Sequence, residues 1–331
     1  MLLDRLVRSQ TISGAVLAVQ CVFLVLIAWP IEVEALGPDS PNATSLDERV
    51  QEVLQPLGDG LAVSVWVGPA GGAPWFVRNP EVALPSASAI KTAYLVALFA
   101  RFADDLDATP PGLDEALSDH HPAMTPYTPE QRDDIRTALQ GASVRTLGGV
   151  MMGSIDAPNH VYNAAASAIT AILGGPDALT AAIHAIDPAF RGIVARRYML
   201  APRNVTGDNE ASAASLAAVL ARLAAGELPG VSPETLAAMR DAVIVQEDLH
   251  GLQGRHFVKG GSLNSDPITR VKSGWWERPE LGPVVLTVML ARPNPGNQGR
   301  AEAAEQLDAA ASALSAMLLE AIQDESNRPQ P

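Results

Sequence analysis

Ser88 and Lys91 stand three residues apart in the stretch PSASAIKTAYLVALF, and a second lysine opens the triplet Lys272-Ser273-Gly274, just before Trp275 and Trp276. A serine hydroxyl becomes a nucleophile when a neighbouring base takes its proton. Lysine can be that base once desolvation or nearby positive charge makes it neutral, whereas arginine keeps its proton in a protein. The chain has 23 basic residues, and all but Lys91, Lys259 and Lys272 are arginine. Retaining lysine at 91 and 272 points to amines, Lys91 and Lys272, that cycle between charged and neutral. The chemistry implied is acyl transfer through a covalent serine intermediate.

These residues need elements to position them. Residues 88–102 are apolar nearly all round after the first turn, which predicts a buried helix. Pro85 and Ser86 lead into it, Ser88 and Lys91 share one of its faces, and its N-terminal amides favour an anion. Residues 268–276 and 283–291 read as two strands joined by a turn. Residues 60–67 alternate as a strand, and residues 75–77 begin its return. Helical spacing covers residues 46–57 and 300–322. Between residues 105 and 249 the pattern is helical and rich in alanine, the best helix former. Strands therefore come from both ends of the chain and must meet in one sheet. The central helices pack beside it, and the boundary is the natural cleft.

On S-x-x-K at Ser88–Lys91, K-S-G at Lys272–Gly274, and this order of elements, the chain resembles the serine penicillin-recognising family. The likeness is to class A β-lactamases and their D-alanyl-D-alanine peptidase relatives, over about residues 46–320. The resemblance implies an α/β plus all-α fold: an antiparallel sheet with flanking helices and a helical subdomain. It assigns nucleophilic attack to Ser88, assistance to Lys91, and the substrate carboxylate to Lys272 and Ser273. The oxyanion hole would be the backbone N–H groups of Ser88 and Trp275. Lys259-Gly260-Gly261-Ser262 is a rival placement for the K-S-G role, though it reads more as a loop. The implied partner is a β-lactam or a peptidoglycan peptide.

The chain departs from the family at two places. Asn163 falls on the asparagine of the S-D-N motif, but Val161 falls on its serine. Ser154 and Tyr162 are the alternative hydroxyls. The loop glutamate that clears the acyl-enzyme in class A enzymes falls near Met199, in RYMLAPR. The next acids are Asp208 and Glu210. Acylation chemistry is expected, and the base for deacylation is not evident. A peptidase or a catalytically impaired peptidoglycan-binding protein are the alternatives.

Composition narrows the remaining possibilities. The formal net charge is -14, with no basic patch, so nucleic acid is not an expected partner. Six histidines lack ligand spacing, and neither a metal nor a cofactor is expected. Arg5 and Arg8 precede an uncharged run over residues 12–29, which Pro30 ends. Residues 1–36 therefore read as a signal peptide, with cleavage possible after Ala35, or as an uncleaved membrane anchor. Either reading places the rest outside the cytoplasm, in the cell envelope or secreted, as a monomer. The sole cysteine, Cys21, lies in that run, so the exported part has no thiol chemistry. Residues 37–45 form a linker, residues 46–325 the catalytic domain, and residues 326–331 a tail.

Overall fold

A computed structural model describes residues 45–278 and 282–326. The apolar run over residues 12–29, Cys21 and the cleavage site after Ala35 lie outside the described residues, as do residues 327–331 of the tail. Among the described residues no single helix is long and apolar enough to cross a membrane.

The chain opens with α1 (Leu46–Leu54), started by a capping box between Ser45 and Glu48. Strands β1 (Ala62–Pro69) and β2 (Phe76–Arg78) follow, then the short β3 (Leu84–Pro85). A 3₁₀ turn over Ala87–Ile90 runs directly into α2 (Lys91–Arg101). The helical block continues with α3 (Leu113–Ala116), α4 (Pro129–Leu139), α5 (Val144–Met152), α6 (Asn159–Ile172), α7 (Pro176–Ile186) and α8 (Arg203–Thr206). After β4 (Glu210–Ala211) come α9 (Ala213–Ala225) and α10 (Pro233–Asp241). The chain then returns to the sheet through β5 (Ile244–Glu247), β6 (Arg255–Val258), β7 (Gly261–Leu263), β8 (Ile268–Arg278) and β9 (Gly282–Arg292), and ends in α11 (Arg300–Ser326).

Seven strands form one antiparallel sheet in the order β2-β1-β9-β8-β6-β5, with β7 also on β8. Side chains alternate between the two faces of each strand. On β8 and β9, Val271, Trp275, Val285 and Met289 join the core of the helical block. Ile268, Trp276, Val284, Leu286 and Val288 face the other way and pack with α1 and α11. The result is three layers, with α2 running buried through the helical one. The antiparallel sheet, its flanking helices and the helical block agree with the expected fold. Strands β5, β6 and β7 were not anticipated. They are short, and β5 is mostly exposed, so neither apolar alternation nor length marks them.

Candidate active site

Ser88 lies in the 3₁₀ turn that leads into α2, and Lys91 is the first residue of that helix. The turn is pinned from behind. Ser86 donates its N–H and its hydroxyl to the carbonyl of Asn209, at 2.9 and 3.0 Å. Pro85 pairs with Glu210 across β3 and β4. Ala87 is held at φ 48, a left-handed conformation that an L-residue with a Cβ keeps only when its surroundings impose it. Ser88 is half-buried, and its hydroxyl has no hydrogen-bond partner among the described residues.

Lys91 is 2% exposed. Its Nζ donates to Asn163 Oδ1 at 3.0 Å and to the Tyr162 carbonyl at 3.4 Å. Burial, and then the positive charge of Lys259, lower its pKa to about 7. A neutral amine has two N–H groups and one lone pair. With both N–H groups placed on Tyr162 and Asn163, the lone pair is left for a proton. Asn163 is held in turn, donating from Nδ2 to the Asn159 carbonyl at 3.0 Å.

Lys259, in the two-residue gap between β6 and β7, is the second cation here. Its Nζ donates to the Met152 carbonyl at 2.7 Å, at the end of α5. Burial lowers its pKa to about 8. Val258↔Gly274 and Gly261↔Val271 keep one register across the gap, and Lys259 donates its N–H to the Ser273 carbonyl at 2.9 Å. In an antiparallel pair the next outward N–H groups then belong to Gly260 and Ser262. Gly261 presses against the serine turn: a Cβ there would sit 2.7 Å from Ser88 N and 2.9 Å from Ala89 N. No residue with a side chain fits that approach.

The triplet Lys272-Ser273-Gly274 does not occupy this place, which corrects the sequence expectation. Strand alternation turns Lys272 to the α11 face, where it pairs with Asp308 at 3.0 Å. Ser273 faces the helical side, but its buried hydroxyl donates to the Lys259 carbonyl and so supports the strand. Gly274 is required by the sheet, because a Cβ would fall 2.1 Å from the Phe257 carbonyl. Trp275 is 2% exposed and stacks on Phe257 with centroids 4.3 Å apart. It is a core residue, and β8 is flanked by β6 and β9, so its N–H belongs to the ladder. The rival stretch Lys259–Ser262 is the one beside Ser88.

The two alternative hydroxyls are also placed elsewhere. Ser154 donates to the Gly149 carbonyl at 3.3 Å, closing the end of α5. The Tyr162 hydroxyl donates to Asp156 Oδ1 and accepts from Ala157 N–H, both at 3.0 Å. Among the described residues, neither reaches Lys91 or Lys259. Tyr162 contributes its backbone carbonyl.

Met199 sits on a loop whose ends are clamped together. Arg197 reaches Asp208 Oδ1 at 2.6 Å, and Arg203 reaches Asp208 Oδ2 at 2.8 Å. Glu210 pairs with Arg196 at 2.7 Å. Both acids that could have supplied a base are thus held by arginines. Among the described residues the one charge that shifts Lys91 is Lys259, and no carboxylate does. Met199 is buried and points its sulfur toward Asn209 Nδ2 at 4.0 Å.

The arrangement is a desolvated amine, a serine on a strained turn and an edge strand pressed against it. The family model described as "Beta-lactamase enzyme family" matches residues 45–321. The chain belongs to the β-lactamase enzyme family. Among solved structures it is similar to the class A β-lactamase of the last common ancestor of Gram-negative bacteria. That match has 23% identity and a TM-score of 0.60, covering 84% of this chain and 100% of that one. A variant of the TLA-1 extended-spectrum β-lactamase matches at 14% identity and a TM-score of 0.60, covering 83% and 99%. No curated protein sequence matches the chain. Within this β-lactamase-family fold, the two lysines are expected to behave oppositely. Lys272→Met should leave serine acylation and its pH dependence unchanged. Lys259→Met should slow acylation and also remove a charge that lowers the Lys91 pKa. The rising limb of the pH profile, expected near pH 7 in the wild type from the Lys91 pKa, should then move to higher pH. Rate constants for covalent labelling by a penicillin between pH 5 and pH 10 measure both effects.

Proposed function

We propose that the protein is an exported serine hydrolase that is acylated at Ser88 by β-lactams and deacylates slowly. The observation that carries this reading is Lys91: buried, with a pKa of about 7, its N–H groups occupied, and one helical turn from a free serine hydroxyl. Ser88 Oγ attacks the lactam carbonyl as its proton passes to Lys91 Nζ; the lactam C–N bond then breaks, and the proton held by Lys91 goes to the departing nitrogen, leaving the ester on Ser88 and Lys91 neutral again. The N–H groups of Ser88 and Ser262 receive the oxyanion, as preorganised donors aimed at the developing charge. Lys259 supplies positive charge for a substrate carboxylate while keeping Lys91 neutral. Lys91 must be neutral and Lys259 charged, so acylation rises through about pH 7 and falls through about pH 8.

The acyl-enzyme then needs an activated water. A general base contributes about 10²–10⁴-fold to such a step, and Met199 offers none. With a chromogenic cephalosporin, stopped-flow traces are expected to show a burst of one product equivalent followed by slow turnover. Fast steady turnover with no burst would contradict slow deacylation. The same missing base suits a peptidase-like or binding role on peptidoglycan, for which release of D-alanine from a pentapeptide is the distinguishing assay.

A further inference from the structure

One cavity lies away from Ser88. It is about 350 Å³ and lies on the opposite face of the sheet, between β8 and α11. That volume is at the small end of the ~300–1,000 Å³ typical of ligand pockets. Trp276 and Leu286 form its sheet wall, and Ser312 and Leu319 present the facing side of α11. The cavity exists because α11 offers small side chains here. Ser315 turns its hydroxyl back onto the Ala311 carbonyl at 2.8 Å. The Ser312 hydroxyl has no partner among the described residues.

Lys272 is the one lysine in the lining; burial lowers the pKa of His250 and His256 beside it, Gln246 and Ser312 are neutral, and among the described residues no aspartate or glutamate lines the cavity. Lys272 shares its single carboxylate partner, Asp308, with Arg270 at 3.7 Å, leaving two cations for one anion. His250 is held at φ 59 on the turn at the rim, a conformation that needs support from its surroundings. Glu320 on α11 is the acid His250 senses, and it does not line the cavity. The walls beyond are apolar.

We propose that this cavity binds a small amphipathic anion, a carboxylate with an aliphatic or aryl-alkyl tail. Its charged group rests against Lys272 and the Ser312 hydroxyl, and its tail lies over Trp276, Leu286 and Leu319. The site is separate from the serine chemistry and does not depend on it.

The test is calorimetric titration of the full chain carrying Ser88→Ala, so that acylation plays no part. Octanoate, octanol and octylamine are the probes. Octanoate is expected to bind at one saturable site, more tightly than octanol and far more tightly than octylamine. Lys272→Met should weaken octanoate at least about tenfold, to the level of octanol, while Ser312→Phe fills the cavity and abolishes binding of all three. Thermal melts confirm that both variants are folded. Equal affinity for octanoate and octanol, no saturable binding, or binding that survives Ser312→Phe in a folded protein would overturn the proposal. Indifference of octanoate to Lys272→Met would also overturn it.

Discussion

Lys91→Arg is expected to be acylated no faster than Lys91→Ala, about 10²–10⁴-fold below the wild type. The conservative substitution keeps the positive charge, and charge is not what the position needs. Nζ places its two N–H groups on the Tyr162 carbonyl and Asn163 Oδ1 and keeps a lone pair, because burial and Lys259 hold its pKa at about 7. A guanidinium stays protonated and presents only donors, so it cannot accept the Ser88 proton. The rate constant for covalent labelling by a penicillin measures this, with a thermal melt as the control for folding. An arginine variant that acylates within about tenfold of wild type would mean that Lys91 acts through its charge alone.

Gly261→Ala is the second large effect. The added Cβ would meet Ser88 N at 2.7 Å, Ala87 Cβ at 2.8 Å and Ala89 N at 2.9 Å. Backbone atoms cannot swing aside as a flexible side chain can, so either β7 or the serine turn must shift. Oxyanion donors work when they stand about 2.7–3.1 Å from the developing charge, and losing one costs about 10²–10³-fold. Acylation is expected to fall by that factor. The loss of stability should stay near the ~1–3 kcal/mol of local overpacking, since β7 is a short edge strand. Labelling rates beside denaturant melts separate the two. A variant with normal labelling would show that the Ser88–Ser262 pair of amides does not hold the oxyanion.

The fold was legible in the sequence because its signals are period and composition. Residues 88–102 are apolar nearly all round after the first turn, and Lys91–Arg101 of them form the buried α2, entered by a 3₁₀ turn; residues 268–276 and 283–291 became the long hairpin of β8 and β9. Part of the first half of the site was legible in the same way: Ser88 and Lys91 stand three apart where a buried helix begins, in a 3₁₀ turn and at the first residue of α2. Asn163 was reached only through the resemblance to the family's second motif. The second half depends on which face of a strand a residue takes. Lys272 and Lys259 both precede a short polar stretch containing glycine. Lys272 sits in the stronger strand pattern, while Lys259 falls in the gap between β6 and β7. Parity decides between them: Lys259 pairs with Ser273 and faces the helices, and Lys272 is turned to α11. A sequence gives no register, so the choice could not be made there. The signal that could have decided it was Gly261, since a glycine pair after a lysine permits close backbone approach. The loop was legible only as an absence. That Asp208 is consumed as a clamp for Arg197 and Arg203 required the three-dimensional structure.

Ser88 is the residue expected to become covalently acylated. Intact-mass analysis of the wild type and Ser88→Ala after incubation with benzylpenicillin tests it most directly, with peptide mapping of any adduct. One added penicilloyl mass is expected on the wild type, located in the peptide containing Ser88 and persisting for minutes, and none on the variant. An adduct that survives Ser88→Ala, or one that maps to another residue, would contradict it.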